Sequence, residues 1–181
     1  MLAAVLVVPQ AMAEPGDVRV LIEIPAGSAI KYELDEASGR MEVDRFISSP
    51  VAYPANYGII PETLAADGDA LDVLVYTRAP IHPGALIRVR PIGVLRMRDG
   101  GQGDDKIVAV PASAVDPTYD SIKDYSDLPE IERQRLVTFF SIYKLLPDGS
   151  SQVELLGTEG AEAALESVDA ARRGWAGQAP D

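Results

Sequence analysis

Short runs of apolar residues, several with polar residues alternating, recur between residues 18 and 112. They are rich in Val and Ile and are bounded by Pro, Gly, Asp or Asn, a pattern typical of β-strands separated by turns. Closely spaced short strands of this kind favour a small barrel or sandwich. The predicted strands span residues 18–25, 30–35, 41–47, 71–77, 85–98 and 106–112.

A first helix is predicted within residues 126–147, after these strands. Asp127 and Glu130 have the spacing of a capping pair, and Pro129 fits the first turn. Pro147 indicates the end of the helix. Apolar side chains recur near helical spacing at Leu128, Ile131, Leu136, Phe139, Phe140 and Tyr143.

A second helix is predicted over about residues 159–173, where Ala and Glu dominate. Its apolar stripe is narrow and consists of Ala161, Leu165 and Val168. The tail from Gly174 to Asp181 has no periodicity, so we expect it to fray. The pattern as a whole predicts a mainly β (α+β) fold, a β-barrel core with two helices packed beside it.

Composition fits a globular protein of one domain. The chain has 181 residues, of which 47% are hydrophobic and 24% are charged. The net charge of −12 argues against a nucleic-acid partner, because such binding depends on Lys and Arg neutralising phosphates. It does not exclude a small phosphate ligand if metal ions or a local basic cluster offset the negative field.

Cys is absent and His occurs once, which excludes several kinds of catalytic and metal-binding site. The chain has no Cys, which excludes disulfides, thiolate nucleophiles, iron–sulfur centres and cysteine-ligated zinc. Its single His, His82, lies in an apparent turn, where a structural or exposed role is the more usual one. If the protein is an enzyme, we expect it to use a hard metal ion bound by oxygen ligands.

The first 13 residues have features of a secretory leader. An apolar run from Leu2 to Val8 is followed by Ala11-Met12-Ala13, an A-x-A pattern before Glu14. The run is too short for a membrane-spanning helix, so we expect no stable membrane insertion. We therefore predict a cleaved leader at residues 1–13, a single domain at 14–181, and export. The alternative is a disordered or misassigned leader and a cytoplasmic protein.

A first acidic cluster lies in DGDALDVLV, residues 67–75. Asp67, Asp69 and Asp72 crowd into six residues at the start of an apolar strand. Two carboxylates ~4 Å apart repel by roughly 4 kcal/mol at an effective dielectric constant of ~20. Either this loop is fully solvated, or a cation lies between the carboxylates. A calcium EF-hand is excluded, because its ligand spacing is missing.

A second acidic cluster, Asp99, Asp104 and Asp105, lies among glycines and is followed by Lys106 and another apolar strand. Both clusters stand at the start of a strand after a flexible loop. Carboxylate oxygens suit Mg²⁺, which commonly binds a few protein carboxylates and fills its other coordination positions with water and substrate phosphates. Two matching acidic loops therefore favour a metal site over two solvated turns.

Several motifs follow one another in a set order along the chain. They are IEIP, KYE, VDR, AYPANYG, DGDALDVLV, the loop from Asp99 to Lys106, and a helix that carries YK. This order and spacing resembles that of soluble inorganic pyrophosphatases of the Mg²⁺-dependent family I type. The resemblance runs from Glu23 to Lys144, which is roughly two-thirds of a chain that is expected to form one domain.

The resemblance implies a role for each polar residue of these motifs. It makes Asp67, Asp72, Asp99 and Asp104 ligands of several Mg²⁺ ions. Asp69 would be the base that deprotonates a metal-activated water. Phosphate oxygens would be contacted by Lys31, Arg45, Tyr57, Tyr143 and Lys144. Supporting positions would be taken by Glu23, Glu33, Tyr53 and Lys106, with Glu23 at the outer rim.

The same resemblance implies the architecture, the reaction and the assembly. The expected fold is a five-stranded, OB-like closed barrel with two α-helices beside it. The expected reaction is Mg²⁺-dependent hydrolysis of inorganic diphosphate to two orthophosphates. A homo-oligomer is expected, commonly a hexamer in bacterial members. A non-catalytic metal- or phosphate-binding barrel is the alternative function.

The chain departs from the family pattern in two places. Ala70 stands where members usually have Pro, which keeps the carboxylates but loosens the turn by roughly 0.4–1 kcal/mol. The segment after the YK helix, LPDGSSQVELLG, lacks the expected basic and aromatic residues. Neither departure removes a proposed ligand.

Overall fold

The structure is a computed structural model that describes residues 16–35, 37–149 and 152–177. The predicted leader at residues 1–13 lies outside the described residues. The strands are β1 (Val18–Ile24), β2 (Ile30–Asp35), β3 (Arg40–Phe46), β4 (Asn56–Ile60), β5 (Leu71–Val75), β6 (Leu86–Asp99), β7 (Gln102–Gly103), β8 (Lys106–Pro111) and β9 (Val153–Gly160). The α-helices are α1 (Glu130–Ile142) and α2 (Ala161–Ala176).

Five strands form a closed ring in the order β1-β4-β5-β8-β6, which the pairing of β6 with β1 completes. Strands β7 and β9 extend this sheet along β6. The ring confirms the predicted fold class, a mainly β protein with an OB-like closed barrel and two helices. Closure leaves no unpaired edge on the ring strands, which satisfies their backbone hydrogen bonds.

The ring is packed on both of its faces, because successive side chains of a strand point in opposite directions. One cluster takes buried side chains from all five ring strands and from α2, including Val20, Val73 and Val168. The other cluster takes the alternate side chains, such as Leu74, and packs them against Phe139 and Phe140 of α1. Helix α1 therefore packs on the face of the ring that carries Leu74 and Tyr57, and it also contacts β9.

Three strands of the sheet were not expected from the sequence, the two-residue β7 and the longer two, β4 and β9. Strand β4 contains Gly58, and any Cβ there would lie 2.0 Å from the backbone oxygen of Leu21 on β1, so only glycine permits this pairing. Strand β9 is largely exposed, and β6 is its one partner among the described strands, so few of its side chains are apolar and buried. Both of the longer strands are specified by tertiary contacts rather than by strand propensity.

Helix α1 differs from its prediction at both ends. Asp127 does not cap it, because the capping box of Asp127 is made with Asp124 around a preceding 3₁₀ turn. The helix ends before Tyr143 rather than at Pro147. Leu136, Phe139 and Phe140 are buried as expected, but Ile131 is exposed.

Helix α2 begins later and extends further than predicted. Glu159 belongs to β9, and Gly174 to Ala176 continue the helix instead of fraying. Its buried stripe is Ala164, Val168 and Ala171, so only Val168 of the predicted stripe is correct. Residues 178–181 lie outside the described part of the chain. Among the described helices, none is long and apolar enough to cross a membrane.

Strands β2 and β3 form a separate two-stranded sheet that stands beside the ring. Their antiparallel register places Lys31 opposite Arg45. Strand β3 is exposed along most of its length, and Phe46 at its end is 70% exposed. The positively charged side chains of Lys31 and Arg45 therefore lie on a hairpin that is only weakly packed against the rest of the protein.

Candidate active site

A cavity of about 650 Å³ opens between the ring, the β2–β3 hairpin and the end of α1. It is lined by all of the predicted site residues except Glu23 and Glu33: Lys31, Arg45, Tyr53, Tyr57, Asp67, Asp69, Asp72, Asp99, Asp104, Lys106, Tyr143 and Lys144. We call five of its aspartates, Asp67, Asp69, Asp72, Asp99 and Asp104, the acidic floor, and the pair Lys31 and Arg45 the cationic wall. Chain topology thus collects in one place residues that are up to 113 positions apart, from Lys31 to Lys144.

The first acidic loop forms a tight turn rather than an extended solvated loop. Gly68 has a φ of +97°, which a residue with a side chain rarely adopts. The Asp69 N–H donates to Asp67 Oδ1 at 3.1 Å, and the Ala65 N–H donates to the Asp69 carbonyl at 2.7 Å. The turn holds Asp67 and Asp69 at the cavity and delivers Asp72 onto β5.

Lys106 joins the two acidic loops. Strands β5 and β8 are parallel, and their register places Asp72 beside Lys106. The Lys106 side chain is only 3% exposed, and its ammonium donates to the carboxylates of both Asp72 and Asp104. Burial alone would lower the pKa of Lys106, but the two carboxylate charges and their hydrogen bonds outweigh burial and raise it. Lys106 therefore stays charged at the centre of the acidic floor.

Burial acts in the opposite sense on two carboxyl groups near this lysine. Burial raises the pKa of Asp104, a shift that Lys106 opposes and Asp72 adds to. Burial also raises the pKa of Glu23 to about 7, although a hydrogen bond from the Leu34 N–H opposes the shift. Glu23 was expected at the outer rim, but it lies buried on β1 with 7% exposure. Its place is behind the cavity lining, where it ties β1 to β2.

The cationic wall is organised by acidic residues of its own hairpin. Asp44 accepts a hydrogen bond from Arg45 Nε at 2.7 Å, and the Lys31 ammonium lies 3.4 Å from the same carboxylate. Lys31 also donates to Glu33, which explains why Glu33 supports the site without lining the cavity. Burial tends to raise the pKa of Asp44, but the hydrogen bond from Arg45 and the charge of Lys31 hold it below its usual value. Asp44 is the middle residue of VDR, and the sequence alone assigned it no role.

Three tyrosines form an aromatic side of the cavity. The rings of Tyr53 and Tyr57 lie 5.3 Å apart, and Phe139 of α1 lies 4.7 Å from Tyr53 and 5.1 Å from Tyr143. Burial is the main cause that raises the pKa of all three tyrosines, and nearby carboxylates add to it. Their hydroxyls therefore stay protonated and can donate hydrogen bonds to an anion in the cavity.

The end of α1 closes the cavity on the side of the second acidic loop. The Lys144 ammonium donates to Asp99, which lies at the end of β6. Beyond it, the Leu146 N–H donates to Ser49 Oγ at 3.4 Å. These contacts hold the YK pair against the acidic floor, so a lysine from the end of α1 faces the same space as Lys31 and Arg45.

Asn56 is a buried residue that the sequence reasoning missed. Its Oδ1 accepts from the Ala26 N–H at 3.1 Å and the Ile81 N–H at 2.8 Å. Its Nδ2 donates to the Val75 carbonyl at 3.2 Å and to Thr77 Oγ1 at 2.7 Å. Every polar position of this amide is used, so Asn56 fixes the start of β4 between Tyr53 and Tyr57. Its place between two tyrosines in AYPANYG was the available signal.

The acidic floor has the ligand chemistry that Mg²⁺ requires. Its donors are carboxylates, the ligands of hard cations, and a positive charge, Lys106, already lies between Asp72 and Asp104. Within residues 16–35, 37–149 and 152–177, no three Asp, Glu or His side chains converge closely enough to hold an ion as they stand. The floor thus fits a divalent cation by its donor set and charge, while Lys106 shares two of its carboxylates.

Known proteins resemble this chain along most of its length. A sequence profile of the inorganic pyrophosphatase family matches residues 20–176. The chain is 50% identical to the inorganic pyrophosphatase of Aquifex pyrophilus over 154 residues. This aligned region covers 85% of this chain and 86% of that protein. It is 49% identical over 162 residues to the inorganic pyrophosphatase of Escherichia coli K12, covering 89% of this chain and 92% of that protein. The crystal structure of inorganic pyrophosphatase from Thermus thermophilus superposes with a TM-score of 0.85 at 39% identity, covering 93% of this chain and 97% of that one.

Proposed function

The chain is a member of the inorganic pyrophosphatase family and hydrolyses inorganic diphosphate to two orthophosphates, and we propose that it does so with Mg²⁺ held by the acidic floor and with Asp69 as the general base. The observation that carries this proposal is the composition of the cavity lining. The five carboxylates of the acidic floor line the same cavity as Lys31, Arg45, Lys144 and three tyrosines, and Lys144 meets Asp99 of the floor. A diphosphate ion and its cations would each find groups of opposite charge in this one space.

The acidic floor would hold the cations. Asp67, Asp72, Asp99 and Asp104 are the proposed ligands, and their oxygens come from two loops that Lys106 draws together. Bound Mg²⁺ supplies positive charge that lowers the pKa of a nearby water and neutralises phosphate oxygens. The negative net charge of the chain is then compatible with an anionic substrate.

Asp69 would take the proton from the attacking water. It lines the cavity, its side chain is exposed to solvent, and its backbone N–H is fixed by Asp67 Oδ1. A positioned carboxylate that accepts a proton in the transition state contributes about 10²–10⁴-fold to a rate. The turn around Gly68 therefore places a base beside the ligands without making it one of them.

The cationic and phenolic side chains of the cavity would bind and orient the phosphoryl groups. Arg45 can offer its guanidinium N–H groups, and Lys31 and Lys144 offer ammonium groups. The Tyr57 and Tyr143 hydroxyls stay protonated because burial raises their pKa, so each can donate a hydrogen bond to a phosphate oxygen. Together these donors stabilise the negative charge that develops on the leaving phosphate. The non-catalytic binding barrel is not favoured, because the relatives that match most of this chain are inorganic pyrophosphatases.

The test is orthophosphate release from diphosphate, measured with Mg²⁺ and with excess chelator. We expect fast release only with Mg²⁺, and a loss of about 10²–10⁴-fold in turnover for Asp69→Asn. Asp169→Asn is the matched control, since Asp169 lies exposed on α2 and does not line the cavity. Unchanged unfolding midpoints would show that both variants fold. Turnover of Asp69→Asn near that of the wild type would refute the base, and release unaffected by chelator would refute the metal.

A further inference from the structure

We propose that Arg96 and Asp105 are positioning residues that hold Asp104 towards the cavity. This inference rests on the proposed function, because Asp104 is one of the proposed metal ligands. Asp104 and Asp105 are adjacent in the sequence and belong to the same acidic loop, yet the structure places them in different surroundings. Asp104 lines the cavity and meets Lys106, whereas Asp105 pairs with Arg96 away from it.

The corner that separates the two aspartates is fixed by Met97 of β6. The Asp104 N–H donates to the Met97 carbonyl at 2.9 Å. The Met97 N–H donates to Asp105 Oδ1 at 3.1 Å, so a side-chain oxygen stands where a neighbouring strand would offer a carbonyl. The backbone of Met97 thereby holds both aspartates, Asp104 through its backbone N–H and Asp105 through its side-chain carboxylate.

The second oxygen of Asp105 is held by Arg96. Arg96 Nη1 donates to Asp105 Oδ2 at 2.7 Å and to Ser167 Oγ of α2 at 2.9 Å. Arg96 Nη2 donates to Glu159 Oε2 of β9 at 2.8 Å. The hydrogen bonds to Glu159 and Asp105 raise the pKa of the guanidinium although partial burial opposes this. Arg96 therefore ties the 104–105 corner to a helix and to a strand at once.

This arrangement determines the direction of Asp104. Successive side chains of an extended segment point to opposite sides, so fixing Asp105 outwards turns Asp104 inwards. Asp104 is held there by the bond from its N–H to Met97 and by Lys106, whose ammonium donates to its carboxylate. The bonds of Asp105 to Met97 and Arg96 hold the next residue on the other side, which favours this direction of Asp104.

Residues outside a coordination shell commonly orient a metal ligand in this way. Loss of such a residue typically weakens metal affinity by about 10–100-fold while leaving the ligands in place. The Arg96 side chain is 27% exposed and that of Asp105 is 31% exposed. Since the pair is partly solvated, we expect an effect at the low end of that range, about tenfold.

The experiment compares Arg96→Met with Arg98→Met. Arg98 lies two residues further along β6, is half exposed, and has its ion-pair partner Glu154 at 3.8 Å. It is therefore matched in type and strand, but its side chain pairs with Glu154 and not with Asp105. Titration calorimetry would measure Mg²⁺ binding to the substrate-free protein, and hydrolysis would be followed as a function of Mg²⁺ concentration. Arg96→Met should weaken Mg²⁺ binding about tenfold and keep its turnover at saturating Mg²⁺. Arg98→Met should change neither quantity.

Further variants separate a positioning role from a failure to fold and from a wrongly assigned ligand. Asp105→Asn keeps the oxygen that Met97 bonds while removing the charge that Arg96 pairs with, so it should also weaken Mg²⁺ binding even if Arg96→Met fails to fold. Arg96→Lys should recover part of the affinity. Wild-type Mg²⁺ affinity in both Arg96→Met and Asp105→Asn would overturn the positioning role. If instead Asp104→Asn itself binds Mg²⁺ like the wild type, the assignment of the ligand fails and the proposed function must be revised.

Discussion

The acidic floor of the cavity rests on ring strands that are buried on both faces, whereas the cationic wall rests on a two-stranded hairpin exposed along most of its outer strand. Lys106, at the centre of the floor, is 2% exposed as a residue. The Arg45 side chain on the wall is 56% exposed. The central charged group of the floor is thus buried, whereas Arg45 of the wall is largely exposed to solvent.

Because of this difference in burial, substitutions on the floor and on the wall should affect different properties, stability in the first case and substrate binding in the second. A charge removed from the floor leaves buried opposite charges without a partner, so the free energy of unfolding should fall. A charge removed from the wall exposes its partner to water, so stability should hardly change. Changes on the floor should therefore alter folding and metal binding, and changes on the wall should alter the affinity for diphosphate alone.

The largest effect on stability is expected for Lys106→Met. It leaves the carboxylates of Asp72 and Asp104 facing each other without a cation in metal-free protein. Breaking a buried pair in this way costs about 3–5 kcal/mol. Urea unfolding in the presence of chelator would measure the loss, and added Mg²⁺ should restore part of it. Lys123→Met, at an exposed surface position, is the control and should stay within about 0.5 kcal/mol of the wild type. Equal stability of the two variants would mean that Lys106 does not hold the floor together.

A smaller effect is expected from the pH dependence of Glu23, which lies behind the floor. The pKa of Glu23 is raised from 4.5 to about 7, so the neutral carboxyl contributes stability that is present below about pH 4.5 and is lost as the pH rises through about 7. The contribution amounts to at most roughly 3 kcal/mol. Metal-free Glu23→Gln should therefore lose less stability than the wild type between about pH 5 and pH 8. Parallel pH profiles of the two proteins, by thermal or urea unfolding, would contradict the shift.

The smallest effect on folding is expected for Arg45→Ala on the wall. A hydrogen bond to a charged group contributes about 1.5–3 kcal/mol, and at this exposed position we expect the lower value, a rise of about tenfold in KM for diphosphate. The free energy of unfolding should stay within about 0.5 kcal/mol. Arg40→Ala, at the exposed start of the same strand, should change neither quantity. A loss of stability in Arg45→Ala as large as in Lys106→Met would remove the distinction between floor and wall.

The sequence predicted the strands with strong patterns and the residues with distinctive chemistry. All six predicted strands, which are β1, β2, β3, β5, β6 and β8, were placed within two residues at each end, because turn residues bound their runs. Asp67, Asp69 and Asp72 were found because negative charge so dense at the start of an apolar strand needs a counterion or solvent. Such features are local, and a local pattern is enough to detect them.

What the sequence did not reveal depends on contacts between distant segments. The motif spacing singled out Asp104, but the partners of Asp105 are Arg96 and Met97, which lie on another strand. The burial of Glu23 follows from the hairpin that covers it, not from its own neighbours in IEIP. Partners that the tertiary fold supplies cannot be read from the residues next to a carboxylate in the sequence.

The parallel pairing of β5 with β8 has a consequence for the order in which the chain folds. Asp72 and Lys106 are 34 positions apart and become neighbours only when this long-range pair closes, a step that must first overcome the entropy of the intervening loop. The same step brings Asp104 close to Asp72, which by itself would oppose closure. Because Lys106 and Asp104 arrive on one segment, the event that gathers negative charge also delivers its counterion, and closure proceeds without waiting for a metal.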